Sequence, residues 1–227
     1  MPPPKFLIVW DLDHTIGVFD AMAHLATAHE PVTVKLRPNI HETLDRLADE
    51  GFAHTVLTLA SHTYAEVILR ATGLRQHFLE VCGVGERAKG DAEGIARKFG
   101  IPVEECHQRM LFVGDHPLFD VPQDRRVVFH FEPHPLRRSA EAVADLALTL
   151  RARGQGSLRA GFDELARPER GPGGIAHISI DGLGPLVLAR RDDGCPIVAF
   201  DDEHRTAARE DEGTAVTFVP AEIPLRG

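Results

Sequence analysis

Two carboxylates, Asp11 and Asp13, stand two residues apart where the apolar run of FLIVWDLDHTIG ends, with Thr15 following at the same spacing. Clustering carboxylates at the mouth of a buried strand is costly, since burial and mutual repulsion both disfavour the charged forms. The cost is offset where a cation or a reaction uses them. One carboxylate can attack an electrophile while its neighbour moves a proton, and hard oxygen donors also suit a divalent cation. Further polar groups follow later apolar runs in the same way. Thr58 ends the run at 53–58, Lys89 lies in Ala88-Lys89-Gly90-Asp91, and Asp115 and Asp120 lie in MLFVGDHPLFD. Lysine is scarce, occurring only as Lys5, Lys35, Lys89 and Lys98, which makes a loop lysine a stronger candidate than usual. Lys98 competes with Lys89 but falls late in an expected helix, where a cation favours the helix dipole. Ser61 competes with Thr58 but also suits a helix cap.

These groups need elements to position them. The run at 6–10 is continuously apolar, as in a strand buried on both faces of a parallel sheet. Further strands are expected at 53–58, 78–82, 110–113 and 126–131. Between them, Ile40, Leu44 and Leu47 give a helical stripe after Pro38, ended by Gly51. Other helices are expected from Ser61 or Thr63 through Thr72, over 91–99 and over 141–153. Alternation of this kind implies an α/β doubly wound parallel sheet with right-handed crossovers. Ligands of such sheets bind beyond the carboxyl ends of the strands, so Asp11, Thr58 and Asp115 should open onto one crevice.

In this order the segments resemble the four motifs of the haloacid dehalogenase (HAD) superfamily of phosphatases, over roughly residues 5–132. The resemblance implies that Asp11 is a covalent nucleophile and that Asp13 protonates the leaving oxygen and later activates water. It implies that Thr58 and Lys89 hold phosphoryl oxygens. It also implies a Mg2+ ion held by Asp11, the Asp13 carbonyl and Asp115, with Asp120 in support. The connections 17–37 and 61–89 are too short for the cap domain that many family members carry, so the core resembles the capless branch. The implied reaction is hydrolysis of a phosphomonoester, on a small molecule or on an exposed macromolecular phosphate. Phosphoryl transfer to another acceptor, a nucleic-acid or protein phosphate-end phosphatase, and a noncatalytic phosphate-binding module are alternatives on the same residues. Dehalogenation fits poorly, because that branch lacks the second aspartate and the metal-binding set.

Composition narrows the classes further. A chain 43% hydrophobic and 26% charged has the balance of a globular protein. A net charge of −9 argues against grip on nucleic acid through the overall field, and the arginines of 137–170 read as a solvated helix face. Cys82, Cys106 and Cys195 are scattered and form no CxxC pair, which suits reduced thiols rather than a disulfide framework or structural zinc. His116 reads as a loop histidine, and His130 and His134 as part of a proline-rich turn. No run is long enough to span a membrane or to act as a signal peptide, so a cytoplasmic location is expected. After 154 the character changes to short strands near 175–180, 186–189, 196–200 and 215–219, joined by Gly, Pro and Asp turns. The expected division is a core at 1–154 and a β-rich extension at 155–227, serving as lid, homo-oligomer interface or partner-binding element.

Overall fold

The computed structural model describes residues 2–19, 29–83, 91–116, 127–130, 139–166, 176–180, 184–190, 195–200 and 213–224. The strands are β1 (Phe6–Trp10), β2 (Gly17–Val18), β3 (Val32–Leu36), β4 (Phe52–Leu57), β5 (Phe78–Cys82), β6 (Met110–Gly114), β7 (Val127–His130), β8 (Ala176–Ile180), β9 (Gly184–Arg190), β10 (Pro196–Phe200) and β11 (Thr214–Phe218). The helices are α1 (Ile40–Asp49), α2 (His62–Ala71), α3 (Ala92–Lys98), α4 (Cys106–Arg109), α5 (Glu141–Arg153) and α6 (Leu158–Leu165).

Among the described residues, eight strands form one sheet in the order β5-β4-β1-β6-β7-β10-β9-β8. From β5 through β10 each neighbouring pair is parallel; β9 is antiparallel to both of its neighbours, β10 and β8, so among the eight strands it alone is reversed. The α/β doubly wound sheet expected from sequence is therefore present, with β1 at the centre of its parallel part. Every residue of β1 is buried because its alternate side chains enter two different cores. Phe6, Ile8 and Trp10 pack in the core that holds Leu44 and Leu47 of α1, Val67 and Ile68 of α2 and Leu146 of α5. Leu7 and Val9 pack in the second core, with Ile95 of α3 and Cys106 of α4.

Sheet pairing crosses the compositional boundary at 154. β10 pairs with β7 in parallel register, Val198 opposite Phe129, so the hairpin of β9 and β10 and then β8 continue the core sheet. The segment after 154 also opens with a helix, α6, which composition did not suggest. Ser157 caps it by accepting from the Ala160 N–H at 3.2 Å. A second, three-stranded sheet has the order β11-β3-β2. Its outer strand comes from the far end of the sequence, pairing Thr217 with Thr33 and Val216 with Val34. Cys82, Cys106 and Cys195 are buried and not joined in disulfides. No helix among the described residues is long and apolar enough to cross a membrane.

Candidate functional site

Asp11, Thr58 and Asp115 are the first residues beyond β1, β4 and β6. These strands are adjacent and parallel, so the three residues lie at the same, carboxyl, edge of the sheet. The Asp11 N–H donates to the Val113 carbonyl at 2.8 Å, which extends the β1–β6 ladder past the end of β1. Thr58 is held likewise, its N–H donating to the Cys82 carbonyl at 3.0 Å. Both are buried, Asp11 at 8% exposure and Thr58 at 2%. The side-chain oxygen of Thr58 accepts the Ala60 N–H at 3.1 Å, which leaves its hydroxyl proton to donate elsewhere. Ser61 is occupied as the N-cap of α2, accepting the Tyr64 N–H at 3.2 Å. Of the two hydroxyls that compete in the sequence, Thr58 is thus the one at the strand end.

Asp13 sits in a tight turn. Its backbone bridges to Gly17, the His14 N–H donates to the Gly17 carbonyl at 2.7 Å, and the Ile16 N–H donates to the Leu12 carbonyl at 3.0 Å. His14 takes a left-handed conformation with φ of 61°, which is uncommon for a residue other than glycine. Gly17 is required for close approach. A Cβ there would lie 2.6 Å from the Lys35 carbonyl oxygen and 2.7 Å from the Phe19 ring.

Two residues that sequence reasoning did not assign hold this turn. Arg37 is 1% exposed. Its guanidinium donates to the His14 carbonyl at 2.8 Å and to the Thr15 carbonyl, while its own N–H donates to the Ile16 carbonyl at 2.9 Å. Three successive carbonyls are thereby satisfied by one residue, as buried polar groups require. Tyr64, in the first turn of α2, donates its hydroxyl to Asp13 Oδ1 at 2.8 Å and lies 3.3 Å from the Phe19 carbonyl oxygen. Arg37 carried no sequence signal. Tyr64 carried a faint one, as the chain's one tyrosine, six residues beyond Thr58.

Lys98 is engaged with side chains of β5. It pairs with Glu80 at 3.2 Å and contacts the Cys82 sulfur at 3.8 Å, at the end of α3 where its charge also suits the helix dipole. Asp91 caps α3 by accepting the Gly94 N–H at 2.9 Å. Lys89, Asp120 and His134 lie outside the described residues.

The donors suit magnesium better than a softer metal. Mg2+ takes oxygen ligands, keeps several waters, and needs one or two carboxylates from the protein. Asp11 and Asp115, which follow adjacent strands, and the Asp13 carbonyl are oxygen donors of that kind. Among the described residues, no three His, Cys, Asp or Glu side chains are gathered closely enough to hold a metal ion by themselves.

No family model and no curated protein matches the chain. Solved structures similar to it include a HAD-superfamily hydrolase from Ehrlichia chaffeensis, 11% identical with a TM-score of 0.45, over 60% of this chain and 91% of that one. An uncharacterized protein from Listeria monocytogenes serotype 4b is 18% identical with a TM-score of 0.45, over 56% of this chain and 78% of that one. A predicted phosphoglycolate phosphatase from Haemophilus somnus 129PT is 26% identical with a TM-score of 0.38. That match covers 43% of this chain and 45% of the other, so the chain spans less than half its length.

Proposed function

We propose that this chain is a phosphomonoester hydrolase of the haloacid dehalogenase superfamily, acting through an aspartyl-phosphate on Asp11. The observation that carries the reading is the placement of Asp11, Thr58 and Asp115 at the carboxyl ends of three adjacent parallel strands, with Asp13 in the turn just beyond. A sheet edge of this kind is where a ligand binds. Its residue types are those that phosphoryl transfer needs, namely a nucleophilic carboxylate, a second carboxyl for proton movement and donors for the phosphoryl oxygens.

In the first step a carboxylate oxygen of Asp11 bonds to phosphorus as the bond to the leaving oxygen breaks. Asp13 gives its proton to that oxygen. In the second step a water oxygen bonds to phosphorus, the bond to Asp11 breaks, and Asp13 takes the water's proton. The Thr58 hydroxyl donates to a phosphoryl oxygen, and Lys89 serves another as a point charge. Asp11, Asp115 and the Asp13 carbonyl would hold Mg2+, with Asp120 in support. When bound, the cation offsets the repulsion between an anionic carboxylate and an anionic phosphate. The substrate class is a phosphate monoester, either a small molecule or a phosphate exposed on a macromolecule, a range that suits connections 17–37 and 61–89 too short to hold a cap domain.

The test is hydrolysis of p-nitrophenyl phosphate with and without magnesium, comparing the wild type with Asp11→Asn. Turnover that needs magnesium and is lost in the variant is expected. Turnover retained by Asp11→Asn, or unchanged on chelation, overturns the mechanism.

A further inference from the structure

The Asp13 side chain is not left to find its own orientation. Its Oδ1 receives the Tyr64 hydroxyl at 2.8 Å, from a residue 51 positions away in sequence. Tyr64 is itself well fixed. Its backbone N–H is the donor that Ser61 caps, and its ring packs against the main hydrophobic core. The Phe19 carbonyl, 3.3 Å from the same hydroxyl, adds a second point of attachment just beyond β2. The hydroxyl has one proton, and of the two acceptors within reach Asp13 Oδ1 is at 2.8 Å, the ordinary O–H···O length, against 3.3 Å for the carbonyl, so the proton is donated to Asp13.

From this geometry we infer that Tyr64 is the positioning residue for the acid–base carboxyl. The inference rests on the phosphatase reading given above. Because Oδ1 accepts from Tyr64, the proton that Asp13 delivers is carried on Oδ2. In the first step that Oδ2 proton passes to the leaving oxygen as the phosphorus–oxygen bond breaks. In the second, Oδ2 takes a proton from the attacking water as the bond between phosphorus and Asp11 breaks. A general acid works only when its proton lies within hydrogen-bond reach of the departing atom. Fixing one carboxyl oxygen fixes the position of the other, and small misplacements at a reacting centre are expensive in rate. The segment from Thr58 to Tyr64 therefore does two jobs, Thr58 at the phosphate and Tyr64 at the proton donor.

The effect should depend on how much the leaving group needs its proton, which a general loss of packing would not do. Phenyl phosphate and p-nitrophenyl phosphate have similar shapes, but phenolate is by far the poorer leaving group. Tyr64→Phe keeps the ring and removes only the hydroxyl. With magnesium present, it should lower kcat on phenyl phosphate by about tenfold, and kcat on p-nitrophenyl phosphate by much less. KM for both substrates and the melting temperature should stay close to wild type. In an Asp13→Asn background the same substitution should have no further effect, since its partner is already disabled. Equal losses on the two substrates, no loss on either, or an additive loss in the double variant overturns the inference while wild-type turnover upholds the phosphatase reading. Absence of turnover of both substrates in the wild type overturns that reading and this inference together.

Discussion

The indole N–H of Trp10, the buried residue that immediately precedes Asp11, donates to Nδ1 of the buried His54 at 3.2 Å. An indole can only donate, so Nδ1 is the acceptor and the imidazole proton is on Nε2, which bonds the Leu44 carbonyl at 3.2 Å. His54 is thereby held neutral.

Burial pushes the His54 pKa down from 6.5 to about 4, opposed by the Leu44 carbonyl, with the neighbouring His77 lowering it further and Asp45 raising it. Above pH 6.5 neither the folded nor the unfolded state takes up this proton. As pH falls toward 4 the unfolded chain takes it and the folded one does not, so stability declines across that window and then levels off. The loss is about 3 kcal/mol. His77, also lowered chiefly by burial, acts in the same direction. Urea unfolding followed by the emission of Trp10, the chain's one tryptophan, reads this directly. His54→Gln should flatten most of the decline between pH 6.5 and 4, and an unchanged slope would remove His54 as its source.

Glu66 governs a lower pH range. It is 7% exposed and accepts from Arg70 and Arg75, each at 2.8 Å. Burial works to raise its pKa, but the hydrogen bonds and charges of Arg75 and Arg70 together hold it below the usual carboxylate value. Its stabilisation is therefore present at neutral pH and lost as pH falls through the carboxylate range. Glu66→Gln should cost about 1–3 kcal/mol at pH 7, with the difference from wild type shrinking at acid pH. A penalty that stays constant down to pH 3 would assign the effect to packing instead.

At Thr58 the hydroxyl is already an acceptor for the Ala60 N–H, so its role toward phosphate is as a donor. Thr58→Ala should raise KM for p-nitrophenyl phosphate by about tenfold, and weaken inhibition by inorganic phosphate in parallel. Thr58→Ser should stay near wild type. Unchanged phosphate inhibition in the alanine variant would leave Thr58 a structural residue at the strand end.

Gly17→Ala should disturb the Asp13 turn without touching either aspartate. The new methyl would meet backbone and ring, so the turn must shift at a cost of about 1–3 kcal/mol. A lower kcat with a lowered melting temperature is expected. Wild-type kinetics would show that the turn tolerates the displacement.

The parallel sheet and the strand-end residues were legible because both follow from local pattern. Phe6–Trp10 is uninterrupted apolar sequence ending in Asp11, and Met110–Gly114 ends in Asp115 in the same way. Arg37 and Tyr64 were not legible, since each meets its partner only after the chain has turned back on itself. The burial of Arg37 depends on carbonyls at 14, 15 and 16 that no periodicity announces. Val32–Leu36 carries the alternation of a strand, buried at Val34 and Leu36, but nothing local names β11 as its neighbour. The strands near 176–200 were readable as strands. Their membership of the core sheet was not, because register with β7 is set by packing and not by spacing.

The pairing of β11 with β3 also sets a schedule for biosynthesis. The hydroxyls of Thr33 and Thr217 meet at 2.8 Å across 184 residues of chain. At about 5–20 residues per second on the ribosome, roughly 10–40 s separates the emergence of the two. During that interval the nascent chain already holds Asp11 and Asp13, while the small sheet that begins at Gly17 still has an open edge at β3. Unpaired edges recruit other strands, so this is the stretch of translation in which a chaperone or a neighbouring nascent chain has most to act upon.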